Sequence, residues 1–267
     1  MEPFEGKTIL ITGASDGIGR ALALELARDR PQLTLAARGA DRLASLAVEC
    51  EALGAKVLTV PTDVADPEAC RQLVERSQNH FGRLDVLVNN AGITMWARFD
   101  AVTDLAAFRH VMDVNYFGSL YTTAAALPHL KQTRGLIVAV ASVAGLTGVP
   151  QRTGYSASKH AMIGFFDSLR IELRGTGVDV SVIAPDFVVS QIHRRAIGPD
   201  GKPLGQSPMK EDRVMTAERC AKLIRGAMEK RQRLLITSWR GRFARLLKIL
   251  APRMVDGIAA RAIERRY

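Results

Sequence analysis

Short apolar segments alternate along the chain with longer segments in which apolar residues recur at helical spacing. The apolar segments predict strands at residues 8–11, 33–37, 56–60, 84–88, 136–140, 178–183 and 234–236. The intervening segments predict helices at residues 20–29, 41–53, 66–82, 105–130 and 217–230, and a further helix that carries Tyr155 and ends at Leu173. Strands that are apolar throughout and alternate with helices are typical of an α/β protein with a doubly wound parallel sheet and helices on both faces.

Two helix boundaries carry clear sequence signals. Asp41 is expected to cap the second helix, and Gly54 to stop it. Asp66 followed by Pro67 predicts the start of the third helix, and Gly82 its end.

Two regions depart from the alternating pattern. Residues 189–214 are rich in Gly and Pro, which predicts a long loop that serves as a substrate lid. Residues 240–267 form a basic tail in which Phe243, Leu246, Leu247 and Leu250 recur at helical spacing, and Pro252 begins a second segment. We therefore expect one domain over residues 1–239, followed by an amphipathic C-terminal tail.

Composition places the chain among ordinary globular proteins, with 47% hydrophobic and 24% charged residues in 267. No apolar run reaches the ~18–20 residues of a membrane-spanning helix. The cysteines are few, odd in number and far apart, which predicts neither a metal site nor a disulfide framework and favours a reducing cytoplasm. They are Cys50, Cys70 and Cys220.

The formal net charge of +10 is concentrated in the tail. An excess of basic residues can indicate nucleic-acid binding, but the tail lacks the interleaved aromatic residues of a stacking platform, so we expect no nucleic-acid partner. A basic amphipathic helix can also lie in a membrane interface, which would place a protein expected in the cytoplasm at a membrane surface, as a peripheral membrane protein. The alternative is a helix packed on the body of the protein or on a dimer partner.

The first predicted strand leads into a glycine-rich turn, Thr12–Gly19, with the spacing Gly-x-x-x-Gly-x-Gly. Glycines allow a tight turn and a close approach of the backbone to a phosphate, and the next helix offers free N–H groups at its N-terminus. Its position after the first strand favours nucleotide binding over a purely structural turn. The candidate cofactor-binding residues here are Gly13, Ser15, Asp16, Gly17, Ile18 and Gly19.

The end of the second strand predicts which dinucleotide binds. An acidic residue there would bind both ribose hydroxyls of NAD. The sequence has Arg38 instead, and a guanidinium can bind a 2′-phosphate through two hydrogen bonds. We therefore predict NADP(H), with an arginine exposed to solvent as the alternative.

Tyr155 and Lys159 are four residues apart on one predicted helix, so their side chains share a face. A tyrosine hydroxyl titrates near ~10 in water, and a neighbouring ammonium lowers that pKa because it favours the phenolate. This pairing predicts Tyr155 as a general acid/base. The same spacing occurs on many solvent-exposed helices, so its meaning depends on the other motifs.

Further motifs follow the glycine turn along the chain. In order, the chain has the Thr12–Gly19 turn, Asp63-Val64, Asn89-Asn90-Ala91-Gly92, Asn115, Ser142, Tyr155 and Lys159. Together these motifs resemble those of the short-chain dehydrogenase/reductases. The resemblance covers roughly residues 7–237, and the last third of the chain is most similar to the hydroxysteroid-dehydrogenase-like branch, which includes the member 7 and 7B dehydrogenase/reductases. It implies a Rossmann-type fold and an oxidoreductase acting on CH–OH or C=O groups.

The resemblance implies a catalytic set of Ser142, Tyr155, Lys159 and Asn115. Tyr155 would protonate the carbonyl oxygen as hydride arrives, or take the alcohol proton in the reverse direction. Lys159 would tune Tyr155 and bind the nicotinamide ribose, and Asn115 would hold a water that relays protons. Ser142 would hydrogen-bond the substrate oxygen, so the expected substrate contacts are Ser142 and Tyr155.

Further cofactor contacts are implied by the same resemblance. Asp63, with Val64 beside it, would hold the adenine, and Asn90 the ribose side of the cofactor. Val188 and Ser190 would lie at the nicotinamide amide.

One departure from the family pattern follows the sixth strand. The family usually has Pro-Gly there, and this chain has Pro185-Asp186. The aspartate is expected to shift the loop that meets the nicotinamide, with an open effect on cofactor affinity.

The substrate pocket is expected between residues 93–99, residues 142–152 and the lid. Apolar residues there favour a hydrophobic ketone or alcohol, of steroid, retinoid or fatty-lipid type, over a sugar. The alternative is that several of them belong to the core. They are Met95, Trp96, Phe99, Leu146, Val149 and Pro150.

A different class of function stays open beside the reductase. The chain could be a catalytically silent, cofactor-binding regulatory protein, although the complete catalytic set argues against it. Family resemblance implies a homodimer or homotetramer, and no metal is expected.

Overall fold

The computed structural model describes residues 2–209 and 214–264. Its centre is a parallel sheet in which the described strands follow the order β3-β2-β1-β4-β5-β6-β7. This confirms the doubly wound, Rossmann-type sheet. The strands are β1 (Thr8–Thr12), β2 (Gln32–Ala37), β3 (Lys56–Pro61), β4 (Val86–Asn89), β5 (Leu136–Val140), β6 (Asp179–Ala184) and β7 (Leu234–Ile236).

Helices cover both faces of the sheet. They are α1 (Gly17–Ala27), α2 (Ala40–Ala52), α3 (Pro67–Phe81), α4 (Ala106–Met112), α5 (Gly118–Thr133), α6 (Thr153–Glu172), α7 (Ala217–Glu229), α8 (Trp239–Leu250) and α9 (Pro252–Glu264). Helices α1, α2 and α7 pack on one face, and α3, α5 and α6 on the other. No helix among the described residues is long and apolar enough to cross a bilayer.

Alternate residues of the central strands enter the two cores. Ile9 and Ile11 of β1 pack with α1 and α2, whereas Leu10 packs with the helices of the other face. Both sides of the strand are apolar because both are covered, which explains the continuously apolar strand sequences.

The sheet order reverses beside β1. Chain connections run outward from β1 through β2 to β3 on one side, and from β4 onward on the other. The loops that leave the C-terminal ends of β1 and β4 therefore diverge and open a crevice, which is where ligands bind in sheets of this type.

One predicted cap is correct and one is wrong. The Asp66 side chain accepts a hydrogen bond from the Glu68 amide at 2.9 Å, and Gly82 ends α3 with φ of +75°. Helix α2 begins earlier than expected, with Gly39 at the cap position and no side-chain cap. Asp41 therefore lies inside the first turn, where its negative charge still interacts favourably with the helix dipole.

The single helix expected over residues 105–130 is interrupted. Helix α4 ends at Met112, a π-helical turn spans Asp113–Phe117, and α5 then continues. Such a turn changes the direction of the side chains within it and often occurs at functional sites. Asn115 lies in this turn, fully buried.

The described part of the predicted lid, residues 189–209, folds back against the body. Ile197 pairs with Met95 in an isolated parallel bridge, and its carbonyl accepts the Trp96 amide at 2.8 Å. The base of the loop is closed by a second bridge between Val188 and Met215. The rest of the predicted lid, residues 210–213, lies outside the described residues.

The tail forms two helices, as expected, but its apolar residues point in different directions. Gly241 of α8 is buried and Leu247 is half-buried, whereas Phe243, Leu246 and Leu250 are exposed. Arg265 and Arg266 of the predicted basic tail lie outside the described residues.

Candidate active site

A cavity of about 560 Å³ opens in the crevice beside β1. It extends from the residues that follow β2, past the glycine turn, to Tyr155 on α6. Asn115 and Gly19 are the two predicted site residues that do not line it. The others do: Gly13, Ser15, Asp16, Gly17, Ile18, Arg38, Asp63, Val64, Asn90, Ser142, Tyr155, Lys159, Val188 and Ser190.

The glycine turn is packed so tightly that side chains do not fit. A Cβ on Gly13, which has φ of +64°, would lie 2.7 Å from the Ala91 Cα. A Cβ on Gly19 would lie 2.4 Å from the Asn90 side-chain nitrogen. Gly19 therefore serves the close packing of α1 rather than the cavity surface.

Asn90 holds the turn in place. Its side-chain nitrogen donates hydrogen bonds to the Thr12 carbonyl at 2.9 Å and to the Gly13 carbonyl at 3.1 Å. Asp16 caps α1, and its carboxylate accepts the Gly17 amide at 2.7 Å. These bonds leave the N-terminus of α1 directed at the cavity, where it favours an anion.

Two arginines line the cavity after β2. Both Arg38 and Arg42 are exposed at the C-terminal end of that strand and the first turn of α2. Sequence reasoning identified Arg38 and missed Arg42, although its place in the first helical turn, four residues later, was a usable signal. Two guanidiniums at this point suit a phosphate better than a neutral ribose edge.

Ser142 is positioned by the end of β5. It caps a short 3₁₀ turn, Val143–Gly145, by accepting the Ala144 amide at 3.1 Å, and its hydroxyl donates to the Pro185 carbonyl at 3.4 Å. The serine therefore bridges the loops after β5 and β6 and faces the same cavity as Tyr155.

The environment of Tyr155 differs from the expectation. Burial raises the pKa of its hydroxyl, while the Arg152 guanidinium and the Ser142 hydroxyl act in the opposite direction. The Lys159 ammonium lies 5.9 Å from the centre of the tyrosine ring and donates to the Val140 carbonyl at 3.0 Å. The cation that favours the phenolate in this arrangement is Arg152, and the tuning of Tyr155 by Lys159 stays a prediction.

Lys159 is itself strongly affected by its surroundings. It is buried, and burial lowers its pKa to about 7. The lysine can therefore hold or release a proton near neutral pH.

Asn115 supports the site from behind the cavity wall. Its side chain accepts the Ile93 amide at 2.8 Å and donates to the Ile93 carbonyl at 3.0 Å. It also donates to the Ser158 hydroxyl at 2.8 Å, and Ser158 in turn donates to the Tyr155 carbonyl. The amide thereby joins the end of β4 to the catalytic turn of α6, whereas its role in a proton relay stays a prediction.

A buried cation beside Tyr155 was missed by sequence reasoning. Arg152 is 4% exposed, and its guanidinium carbon lies 4.1 Å from the Trp96 ring centre, 5.1 Å from that of Phe187 and 5.5 Å from that of Tyr155. It also donates to His193 Nδ1 at 3.1 Å. The aromatic faces stabilise the cation. Sequence spacing does not predict this cluster, because Trp96 and Phe187 come from separate loops far from Arg152 in the chain.

His193 is neutral in this cluster. Burial and the Arg152 charge lower its pKa to about 4. Because arginine can only donate, Nδ1 accepts and Nε2 carries the proton, which it donates to the Val188 carbonyl at 3.3 Å.

Comparisons with known proteins agree with this geometry. A family model described as short chain dehydrogenase matches residues 7–198. The chain belongs to the short-chain dehydrogenase family. It is therefore an oxidoreductase, and its curated relatives place it in the hydroxysteroid-dehydrogenase-like branch.

Those relatives are plant proteins. The chain is 38% identical to 11-beta-hydroxysteroid dehydrogenase 1A of Arabidopsis thaliana over 263 residues, which cover 96% of this chain and 75% of the relative. It is 36% identical to 11-beta-hydroxysteroid dehydrogenase of Pinus massoniana, with 96% and 73% covered.

Solved structures of the family are also similar. A short-chain dehydrogenase/reductase from Burkholderia phymatum, in complex with NAD, has a TM-score of 0.84 and 27% identity, covering 95% of this chain and 96% of the other. An alcohol dehydrogenase from the archaeon Thermococcus sibiricus, complexed with 5-hydroxy-NADP, has a TM-score of 0.74 and 30% identity, covering 87% and 95%.

The residues of this dehydrogenase fit a nicotinamide dinucleotide. One cavity is lined in turn by Arg38 and Arg42, the N-terminus of α1 and Tyr155. A dinucleotide needs cations or free N–H groups for its phosphates, and this cavity offers both. Backbone at Gly13 and Gly17 approaches its neighbours too closely for a Cβ, which keeps the turn clear of side chains.

Asp186, at the position where the family usually has glycine, is held by hydrogen bonds to neighbouring loops of this dehydrogenase. Its carboxylate accepts the Phe187 amide at 2.9 Å and the Ser238 hydroxyl at 2.7 Å. Its amide donates to the Thr237 hydroxyl at 3.1 Å. The acid therefore ties the loop after β6 to the segment that begins α8.

The cavity is bounded by residues 93–99, residues 142–152 and the lid, as predicted, but most of the apolar residues expected to line it do not. Met95 is fully buried in the core, Phe99 is 63% exposed, and Trp96, Leu146 and Pro150 lie outside the cavity lining. The prediction holds for Val149, which lines the cavity. Met95 pairs with Ile197 of the lid in an isolated bridge, and its side chain packs in the core. The apolar lining around Tyr155 comes from Ile93, Val143, Val149, Phe187, Ile192 and Ile197.

Proposed function

We propose that the protein transfers a hydride between NADP(H) and a lipophilic ketone or secondary alcohol, with Tyr155 as general acid/base. The observation that carries the proposal is the continuous cavity from Arg38 and Arg42, past the glycine turn, to Ser142 and Tyr155. The cavity would bring the cofactor and the proton-transfer group to the same carbonyl.

The proton path uses groups of this chain. When bound, the nicotinamide supplies the hydride for reduction or accepts it in oxidation. The Tyr155 hydroxyl gives its proton to the carbonyl oxygen of a ketone, or takes the proton of an alcohol in the reverse direction. Ser142 donates to the developing oxyanion, and Lys159 binds the ribose beside the nicotinamide.

The NADP(H) assignment rests on the two exposed arginines after β2. A 2′-phosphate between Arg38 and Arg42 would receive charge-assisted, forked hydrogen bonds. NADH lacks this group and would leave both guanidiniums without an anion.

Substrate class is supported by two observations. Apolar side chains surround Tyr155 in the cavity, and Ile93, Val149 and Ile197 pack in the same apolar cluster as the tyrosine. The curated relatives named 11-beta-hydroxysteroid dehydrogenase support a steroid-like ketone or alcohol.

A direct test compares kcat/KM for NADPH and NADH with a panel of steroid, retinoid and fatty ketones, followed at the nicotinamide absorbance. We expect a preference for NADPH of at least about tenfold, which R38Q/R42Q removes. The matched control is R76Q on α3, which removes an exposed arginine outside the cavity. A preference for NADH in the unaltered protein, or equal loss in the control, contradicts the assignment.

We also propose that α8 and α9 bind an anionic membrane surface. Their exposed apolar side chains alternate with basic residues, and such a surface is characteristic of interfacial helices. The exposed apolar residues are Trp239, Phe243, Leu246, Ile249, Leu250, Met254 and Ile258. The basic residues on the same helices are Arg240, Arg242, Arg245, Lys248, Arg253 and Arg261.

Vesicle co-sedimentation tests this second proposal. The protein is expected to bind vesicles that contain phosphatidylserine, and F243S/L246S/L250S to bind at least about fivefold less. Light scattering of the same proteins tests the alternative, that a second copy of the chain covers α8 and α9. If the unaltered protein is a dimer that does not bind vesicles, and the substitutions convert it to monomers, the patch is a subunit interface and the membrane proposal is rejected.

A further inference from the structure

The lid touches the glycine turn at two points. Arg195 forms an ion pair with Asp16, in which Arg195 Nη1 and Asp16 Oδ2 are 3.2 Å apart. Ser190 lies so close to Gly17 that a Cβ on the glycine would be 2.9 Å from the Ser190 Cβ. Asp16 and Arg195 both line the cavity, so their ion pair spans the part of it that lies over the N-terminus of α1.

Asp16 places a negative charge where an anion should bind. One carboxylate oxygen caps α1 at Gly17, and the other faces Arg195. A cofactor diphosphate at this turn would therefore lie beside a carboxylate, and like charges at such distances repel. A cation at the same place would offset this repulsion and add to the attraction of the α1 N-terminus for the diphosphate.

Arg195 is suitably placed to be that cation. Among the described cations that line the cavity, Arg38 and Arg42 follow β2, while Arg152 and Lys159 lie at the catalytic end. Arg195 is the one that reaches the turn. Its side chain is 53% exposed, so its guanidinium keeps several N–H donors available beyond the contact with Asp16.

We propose that Arg195 is a ligand of the cofactor diphosphate, carried by the lid and oriented by Asp16. The guanidinium can hold the carboxylate on one edge and a phosphate oxygen on the other, which offsets the charge of Asp16. The proposal rests on the binding of a nicotinamide dinucleotide, but on neither the 2′-phosphate nor the substrate class.

The same contact would connect cofactor binding to the lid. Two residues beyond Arg195, the Ile197 amide donates to the Thr94 carbonyl at 2.9 Å, in the segment that follows β4. A diphosphate bound by Arg195 would therefore hold the lid at the glycine turn as well as at this segment. Residues 189–197 should exchange their amide hydrogens more slowly when the cofactor is bound.

Equilibrium dissociation constants provide the test, measured from NADPH fluorescence with R195Q, R195K and K202Q. Lys202 is an exposed residue of the same loop and, unlike its neighbours Gly201 and Pro203, does not line the cavity, so K202Q removes a charge of the lid that does not line the site. We expect R195Q to weaken NADPH binding about tenfold, R195K to weaken it less, and K202Q to leave it unchanged. Displacement by adenosine 2′-phosphate, which lacks the diphosphate, should have the same constant in every variant.

Thermal unfolding confirms that each variant is folded. Unchanged NADPH affinity in R195Q, equal weakening by K202Q, or equal weakening of adenosine 2′-phosphate overturns the role of Arg195. If the protein prefers NADH, the NADP(H) assignment fails. The role of Arg195 is then tested with NADH, whose binding R195Q must weaken by the same factor. Hydrogen exchange that responds to NADPH equally in R195Q and in the unaltered protein overturns the connection to the lid.

Discussion

Lys159 donates a hydrogen bond from Nζ to the carbonyl oxygen of Val140, at 3.0 Å. Val140 is the last residue of β5, two residues before Ser142. The bond therefore joins the helix that carries Tyr155 to the strand that carries the serine. It also holds the ammonium in a buried position, where charge is costly.

The charge of Lys159 should make stability depend on pH. Burial lowers its pKa to about 7 in the folded protein, whereas the unfolded value is about 10.4. Between these values the unfolded chain binds the proton and the folded chain does not, so this group makes the free energy of unfolding rise with pH. Below about pH 7 both states bind the proton, and the penalty is complete.

K159M removes this titration. Between about pH 7 and pH 9 the Lys159 titration should raise the free energy of unfolding of the unaltered protein by about 2 kcal/mol, and K159M should lack this rise. The stability of K159M relative to the unaltered protein should therefore fall by that amount. Urea unfolding of the cofactor-free proteins at several pH values measures it. A difference that is constant with pH shows that Lys159 does not titrate in this range.

Arg152 should set the protonation of Tyr155. Burial raises the pKa of Tyr155 and the Arg152 guanidinium acts against it by favouring the phenolate, so R152M is expected to move the rising limb of kcat/KM for alcohol oxidation to higher pH. The control R76Q removes a charge far from the cavity and should leave the limb in place. A limb that does not move in R152M, or moves to lower pH, contradicts this role.

Asp186 should stabilise the junction with α8. D186G restores the glycine that the family usually has but removes the bonds to Phe187 and Ser238. We expect a loss of about 1–2 kcal/mol in the free energy of unfolding, seen as a lower Tm. D186N, which keeps an acceptor oxygen, should lose less, and equal Tm values for D186G and the unaltered protein would show that the bonds contribute nothing.

Gly241 should be required for the close packing of α8 against Val143 and Ile236. A Cβ there would lie 2.8 Å from Val143 Cγ1 and 2.9 Å from Ile236 Cγ2. G241A is therefore expected to cost about 1–3 kcal/mol by overpacking. The control is G226A in α7, where nothing lies within 4 Å of the new Cβ and alanine should stabilise the helix by about 0.5–1 kcal/mol. Calorimetry of both variants checks the opposite signs.

The sequence predicts those parts of the fold whose residues lie close together in the chain. Strand positions follow from apolar runs that are covered on both faces, and the turn of Gly13 and Gly17 follows from its position after β1. The four-residue spacing of Tyr155 and Lys159 places both on one helix face, and the motifs around them indicate that this face lies in the site.

The unpredicted part depends on tertiary geometry. The π-helical turn that contains Asn115 does not interrupt the helical spacing of apolar residues, so the sequence predicts one long helix there. Met95 pairs with Ile197 of the lid and packs in the core, which periodicity cannot show. Arg152 becomes important only where Trp96 and Phe187 meet around it.

The most direct test of the central claim is the turnover of Y155F with NADPH and the best ketone of the panel, beside its affinity for NADPH. Phenylalanine keeps the ring among Ile93, Val149 and Ile197 and removes the proton that Tyr155 is proposed to transfer. The account predicts a loss in kcat of about 10³-fold, with the dissociation constant for NADPH within about twofold of the unaltered protein. A Y155F protein that keeps most of its turnover would contradict the role of Tyr155 as the general acid/base.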